Sequence, residues 1–302
     1  MKVPAFSVMI CTKNRLSELR NTLSLIGYLL ENPTVECRII DDGSTDGTFS
    51  YLQEHYPHIL VQRNETSKGL IFCRNKMLNE TNALYAISLD DDAHFLSEDP
   101  LQPIKQHFER NPDCGVLAMR VFWGLQQPAV LHTIDLPQRV QSFVGCAHVW
   151  RMEAWRAIPD YPAWFVFYGE EDFAAFQLFS KGLQVHYVPA LLVMHRVDVR
   201  ARRSNSDYTV RQRRSLRAGW YLFFLFLPLN VIPRKLVSSI WAQFKNKVLT
   251  GDWRVLRAMG LAFLDLIRSL PRLIKHSNRL SRAGYEEFKS LPPTKIYWQP
   301  ES

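Results

Sequence analysis

Through roughly the first 110 residues, short apolar runs alternate with stretches whose apolar positions recur every three or four residues, the pattern of strands separated by amphipathic helices. Residues 6–11 read as a strand, 15–30 as a helix, 36–40 as a strand and 48–55 as a helix. Residues 59–62 give a third strand, 70–79 a helix, 83–89 a fourth strand and 101–110 one more helix. Alternation of this kind specifies an α/β fold with a doubly wound, mainly parallel sheet. Beyond residue 115 the pattern is mixed. Residues 116–122 and 143–151 read as strands, and 183–194 as a strand broken by Pro189. Between them an aromatic stretch, residues 161–168, leads into Gly169-Glu170-Glu171-Asp172 and predicts a pocket wall.

The C-terminal part changes character. Residues 219–232 form an uncharged run interrupted by Pro228, shorter than the ~20 residues that a bilayer crossing needs. From Arg234 onward charges recur on one helical face, which predicts basic amphipathic helices of a kind that lie in a membrane interface. The expected division is a sheet domain over residues 1–215 and a helical, membrane-associating region over 216–302.

Composition adds three constraints. With 302 residues, 47% of them hydrophobic and 22% charged, the chain has room for a sizeable core and an appendage. The start has no long apolar segment or small-residue cleavage site, and the five cysteines form no Cys-x-x-Cys pair, so reduced thiols and an intracellular location are expected. The net charge of +8 is unevenly distributed: residues 196–302 hold 21 Lys/Arg against 7 Asp/Glu, and residues 1–195 hold 16 against 22. An acidic front suits metal and nucleotide chemistry, and a basic back suits anionic lipid or phosphate.

The densest chemistry lies at Asp90-Asp91-Asp92, directly after the fourth predicted strand. Adjacent carboxylates repel, so three at a sheet end call for a cation or strong donors. On extended backbone Asp90 and Asp92 share a side, an Asp-x-Asp clamp of the sort that holds Mg²⁺ or Mn²⁺ together with substrate phosphates. The second strand runs into Asp41-Asp42-Gly43-Ser44-Thr45-Asp46-Gly47-Thr48. Turn chemistry by itself accounts for Gly43, Ser44 and Asp46, whereas Asp41 falls at the carboxyl end of a parallel strand, where open α/β sheets bind ligands. Thr12, Lys13, Asn14 and Arg15 line the same edge, either as donors at a helix start or as an ordinary cap. Lys68 and Arg74 follow at the next junction, with Arg74 placed to reach a diphosphate or to be solvated.

Jointly, residues 7–15, the Asp-Asp-Gly-Ser-Thr-Asp-Gly-Thr turn and Leu89-Asp90-Asp91-Asp92 closely resemble glycosyltransferase family 2 of the GT-A fold, over roughly residues 5–197. The resemblance implies a GT-A, nucleotide-diphospho-sugar transferase (Rossmann-like) sheet, a nucleoside-diphosphate sugar donor, Mg²⁺ or Mn²⁺, and inversion at the anomeric carbon. Carried over by position, Thr12 and Asp41 hold the base, Asp90 the ribose and Asp92 the metal, with Asn14, Arg15, Asp42, Lys68, Arg74 and Asp91 completing the donor site. An inverting displacement needs one base to deprotonate the acceptor hydroxyl. The resemblance places it in Glu170-Glu171-Asp172, with Asp172 first by the Glu-Asp order and Glu171 second. His195 is implied as a third metal ligand or a diphosphate contact, beside the alternative of a packed histidine. The basic set Arg196, Arg200, Arg202, Arg203, Arg211, Arg213, Arg214 and Arg217 closes over the diphosphate, faces lipid or is solvated. Trp150 and Trp164 are candidates for stacking on a sugar or for the core.

The expected activity is transfer of a single sugar to a hydroxyl of a saccharide or lipid-linked surface-polysaccharide precursor, at the inner face of the cytoplasmic membrane. No Gln-x-x-Arg-Trp motif of the processive relatives occurs: Gln212-Arg213-Arg214 leads only to Arg217-Ala218-Gly219-Trp220. A sugar-phosphate nucleotidyltransferase would want a glycine-rich loop after the first strand, which residues 12–15 lack. A phosphate- or membrane-binding module without catalysis is the non-enzyme alternative, and nucleic acid is not expected as a partner.

Overall fold

The structure is a computed structural model that describes residues 3–198, 206–295 and 297–298. Its first half follows the periodicity closely. The strands β1 (Phe6–Thr12), β2 (Val35–Asp41), β3 (Leu60–Arg63) and β4 (Tyr85–Asp90) lie parallel in the order β3-β2-β1-β4. The helices α3 (Thr48–His55), α4 (Leu70–Glu80) and α5 (Leu101–Arg110) fall where the 3.6-residue period put them. The single helix expected over 15–30 is two, α1 (Leu16–Leu25) and α2 (Gly27–Leu30), because the backbone leaves helical angles at Ile26.

Near-continuous apolar character marks β1 as a strand covered on both faces. Phe6, Val8 and Ile10 enter one core with Leu19, Leu23, Ile87 and Phe108, while Met9 enters the other with Ile71, Met77 and Trp150. That alternation is the pleat expressed as packing. It also fixes the carboxyl edge: Thr12 stands beside Asp41, and Cys11 beside Asp90.

The second half departs from the expectation in three ways, and each shapes the site. First, a three-residue strand, β5 (Ala93–Phe95), follows the aspartates and pairs antiparallel with the end of β9 (Gln184–His195), placing Ala93 opposite His195. Second, the strand expected over 143–151 is only β8 (Ala147–Arg151), and residues 141–146 form a loop; a short β7 (Gln138–Val140) precedes it and pairs with β9. Third, Pro189 does not end β9. Its pairing with β6 (Cys114–Trp123) jumps from Met119↔Val188 to Arg120↔Leu192, so the proline sits in extra residues that need no ladder bond. Antiparallel β8 joins β4 to β6, and the completed sheet is mixed, with β6-β9 parallel again.

The helices α6 (Met152–Arg156) and α7 (Glu170–Ser180) precede a C-terminal set: α8 (Tyr208–Phe226), α9 (Ile232–Gln243), α10 (Arg254–Lys275) and α11 (Arg282–Ser290), with a π-helical turn at Phe244–Val248. The uncharged run after residue 219 is core: Trp220, Tyr221, Leu225 and Phe226 are buried, and Phe226 stacks on Phe176 of α7 at 4.8 Å. Among the described residues, no helix is long and apolar enough to cross a membrane. Arg213 grips Asp265 of α10 through both carboxylate oxygens, at 2.7 and 2.5 Å, and Tyr221 donates to the Asp265 carbonyl at 3.1 Å. The expected line at 215/216 therefore falls within α8, and the last strand, β10 (Tyr297–Trp298), returns to pair with β6. Arg200, Arg202 and Arg203 lie outside the described residues.

Candidate active site

At the carboxyl edge, Asp90 ends β4 and Asp92 turns the chain into β5, so the β5–β9 pairing brings His195 onto the aspartates. His195 Nε2 is 3.0 Å from Asp92 Oδ1 and 4.0 Å from Asp90 Oδ2. One ligand atom from each of the three can lie within 4.8 Å of the others. Two carboxylates and an imidazole converging on one point form a donor set suited to a divalent cation. Burial opposes charge on Asp92, but the hydrogen bond and charge of His195, then Arg15, bring its carboxyl down to about 2. Burial also opposes charge on His195, yet Cys146 and Asp92 draw the imidazole up to about 10. Its Nδ1 makes no hydrogen bond of good geometry; the Cys146 thiol lies near the imidazole and the Trp123 ring stands edge-on to it at 5.7 Å.

Asp91 points away, as alternation requires. It accepts from Thr12 Oγ1 at 2.7 Å, and Arg15 Nε lies 3.0 Å away. Burial, with Asp92 and Asp90 near, pushes its carboxyl up to about 7 against the pull of Arg15 and Thr12. Arg15 also reaches Asp92 at 2.5 Å. Thr12 and Arg15, expected to touch the donor, thus compensate the charge that the aspartate cluster concentrates.

Asp42 is likewise turned inward, and its expected donor contact is not what the structure shows. Its carboxylate accepts from Asn64 Nδ2, Ser67 Oγ and the amides of Lys68 and Gly69, at 2.6–2.9 Å. With those four bonds it fastens the loop before α4. Asn14, at a positive φ of 53°, bonds Ser44 Oγ and the Thr45 amide, so it ties two edge loops together. Lys68 is exposed and forms no ion pair among the described residues. Asp41 Oδ1 accepts from the Ser44 amide at 2.8 Å, while Oδ2 is buried without a hydrogen bond, 3.8 Å from Arg63 Nε. A buried carboxylate oxygen in that state calls for a donor.

Arg74 does not stand free to meet a diphosphate. It is 4% exposed, donates to Asp90 Oδ1 at 2.8 Å, to the Gly145 carbonyl at 2.6 Å and to Glu170 Oε1 at 3.0 Å. Burial opposes its charge, but Asp90, Glu170 and Glu171 raise its pKa. The guanidinium thereby bolts the aspartate edge to the start of α7. The bolt passes over Gly145, where a Cβ would lie 2.1 Å from Glu171 Oε1 and 3.2 Å from Arg74 Nη1.

A cleft of about 230 Å³ opens between these groups, lined by Arg74, Asp90, Gly145, Glu170, Glu171 and His195, with Trp123, Phe167, Tyr168 and Arg211 around them. Glu171 faces it; Asp172, expected first as the base, instead lines a separate cavity with Ser142 and Phe176. The difference is helical geometry, since consecutive residues point about 100° apart. Burial, then the charge of Glu170, pushes the Glu171 carboxyl well above its ordinary value against Arg74. Val166 and Tyr168 both hold φ 72°, a left-handed conformation costly for such side chains, in the loop that carries the aromatic wall. Trp150 and Trp164 do not reach the cleft. Trp150 is wholly buried, donating to Tyr161 at 2.9 Å, and Trp164 packs on Tyr221.

Gly145, Cys146 and Trp123 carried no mark in the sequence as site residues. A lone glycine inside a strand-like run was the available signal for Gly145. A second His/Cys grouping, His107, Cys114 and His186, lies at the opposite end of β9, where the two imidazoles hydrogen-bond each other at 2.9 Å.

The sheet order, the helical layers and the acidic carboxyl edge define a GT-A fold. Residues 7–153 match the family model described as Glycosyl transferase family 2, and this part of the chain is a domain of that family. Among solved structures it is similar to GalNAc-T7 with UDP, GalNAc and Mn²⁺ (TM-score 0.57, 16% identity), covering 74% of this chain and 48% of that one. It is also similar to mannosyltransferase PcManGT from Pyrobaculum calidifontis in complex with GDP-Man and Mn²⁺ (TM-score 0.55, 17% identity, 96% and 80%). S. aureus TarS is a third (TM-score 0.60, 16% identity, 90% and 50%). The chain thus spans about half the length of GalNAc-T7 and of TarS. No curated protein sequence matches it.

Proposed function

We propose that the protein is an inverting, metal-dependent glycosyltransferase that moves one sugar from a nucleoside-diphosphate sugar to a hydroxyl of a lipid-linked or surface-polysaccharide precursor. The observation that carries the reading is the convergence of Asp90, Asp92 and His195 beside a cleft whose far wall is Glu171. The relatives described with UDP or GDP-Man and Mn²⁺ support it.

Asp92, Asp90 and His195 would hold Mg²⁺ or Mn²⁺, which when bound neutralises the diphosphate leaving group. Asp41 Oδ2 accepts from an N–H of the base. Arg211, on the cleft wall, faces the diphosphate. Glu171 takes the proton of the acceptor hydroxyl as that oxygen attacks the anomeric carbon from the side opposite the diphosphate. Burial raises its pKa and so makes the carboxylate a stronger base, and the Arg74–Glu170 pair stands beside it. Asp172 stands outside that role.

The reading also places the protein peripherally on the inner face of the cytoplasmic membrane, through the C-terminal helices. Exposed Leu256, Phe263, Ile267 and Ile274 recur along one face of α10, among Arg257, Arg268 and Lys275. Donor hydrolysis measured with Mn²⁺ and with EDTA tests the enzyme claim. Turnover of no nucleoside-diphosphate sugar under either condition, by a folded sample, would leave only a binding module.

A further inference from the structure

A second concavity opens on the other side of the 141–146 loop. Its inner part, about 270 Å³, has a floor of Phe176, Leu222, Phe223 and Phe288 and a wall that includes Ser142 and Asp172. Its outer part, about 360 Å³, is rimmed by Arg234, Lys235, Arg282 and Lys289. Lys235, Tyr285 and Lys289 line both parts, so the two form one groove. Only a thin partition separates it from the donor cleft: Glu171 and Gly145 face the cleft, and their near neighbours Asp172 and Ser142 face the groove.

The chemistry is graded along its length. Four cations stand at the mouth against a single carboxylate, Glu286, which lies 3.4 Å from Arg282 and 3.5 Å from Lys289. Arg234 and Lys235 have no ion pair among the described residues. Such a mouth selects phosphate or diphosphate. Farther in, Phe176 is stacked against Phe226 and Phe288, so the inner part offers apolar surface with the Asp172 carboxylate and the Ser142 hydroxyl as hydrogen-bond partners for a saccharide. Ser142 Oγ, buried in this wall, makes no hydrogen bond of good geometry and has the Asp172 carboxylate as its polar neighbour. Outside the mouth, Val237 and Trp241 follow Arg234 by three and seven residues and so share its face of α9; they are 66% and 58% exposed.

We propose that this groove is the acceptor site, and that it takes a saccharide carried on a lipid phosphate. The sugar next to the phosphate lies in the inner part beside Asp172, the phosphate lies among the four cations, and the lipid leaves along Val237 and Trp241 into the bilayer. The assignment rests on the lipid-linked acceptor reading above and adds the site and the phosphate.

The test uses the full chain in EDTA, with farnesyl diphosphate below its micelle concentration, pyrophosphate and farnesol as probes. Farnesyl diphosphate is expected to bind at least tenfold tighter than either half-probe. The surface double variant Arg234→Glu/Lys289→Glu, its unfolding temperature checked, is expected to weaken it at least tenfold. Equal affinity for pyrophosphate and farnesyl diphosphate, or an unchanged double variant, overturns the proposal. So does full displacement by phosphatidylglycerol vesicles at equal phosphate concentration, which would mean that the mouth reads bulk headgroups. Binding of UDP or GDP with Mn²⁺ is titrated separately and is expected to stay within twofold in the variant. Loss of nucleotide binding in both proteins would count against the donor reading and leave the groove standing.

Discussion

Gly145→Ala is the most informative single change, because it adds one methyl group and touches one function. The new Cβ would lie 2.1 Å from Glu171 Oε1 and 3.0 Å from its Cδ. An ordinary contact begins near 3.4 Å, so the carboxylate must retreat by about 1.3 Å. The end of a glutamate side chain can make that move without shifting backbone, and Gly145 has no left-handed φ to strain, so the stability cost should stay within about 1 kcal/mol. A misplacement of about 1 Å at a reacting group costs on the order of a hundredfold in rate, or about 2.7 kcal/mol of activation free energy. Turnover of the donor should therefore fall about a hundredfold. Calorimetric affinity for the metal-loaded donor should change less than threefold, because Asp90, Asp92 and His195 are untouched. Full turnover in Gly145→Ala would refute Glu171 as the base. Loss of donor binding with turnover per bound donor intact would show that Gly145 serves the diphosphate instead.

Other consequences follow from the same geometry. Glu171→Gln should abolish transfer with donor affinity retained, while Asp172→Asn keeps the displacement chemistry; the reverse pattern in single-turnover assays would return the base to Asp172. Arg74→Met strands the Asp90 and Glu170 carboxylates and should destabilise the metal-free protein by about 3 kcal/mol or more, read in denaturant titrations. The metal-free His195 imidazole is held protonated up to about 10, and a ligand nitrogen must be unprotonated. Mn²⁺ affinity should thus rise with pH between about 6 and 9, by up to roughly tenfold per unit, and flatten in His195→Gln. For stability the signs differ. Asp92, depressed to about 2, contributes above about 4 and loses that contribution as pH falls through 2; His195 contributes fully below about 6.5 and loses it as pH rises toward 10. Denaturant midpoints of the metal-free protein across pH 3–10 should trace that window, and a flat profile would deny the pair.

Local chemistry was legible where it is carried by local sequence. Of the four parallel strands, β1 and β4 announce themselves because each is buried on both faces, and the aspartates because no packing rationale exists for three in a row. Contacts between distant segments were not legible. Nothing in Ala93-His94-Phe95 marks a strand, yet that short pairing with β9 is what seats His195 at Asp92. Nor does the composition of Asp41-Asp42 say which carboxylate points outward; four donors from residues 64–69 decide it. Arg74 looked like a phosphate ligand because a helical arginine at a sheet edge usually meets solvent or substrate, whereas Glu170, 96 residues away, claims it. Which of Glu171 and Asp172 lines the cleft depends on the rotation of α7 against the 141–146 loop, and no single-chain pattern records a helix's rotation.

The claim on which the rest depends is that the edge formed by Asp90, Asp92 and His195 grips a divalent cation that in turn holds a nucleoside diphosphate. Thermal unfolding of the whole chain with a panel of UDP-, GDP- and dTDP-sugars, each with Mn²⁺ and each with EDTA, tests it directly. The account predicts stabilisation by at least one donor with Mn²⁺, none with EDTA, and none in Asp92→Asn under either condition. Equal stabilisation by that donor in EDTA, or in the Asp92→Asn variant, would contradict it.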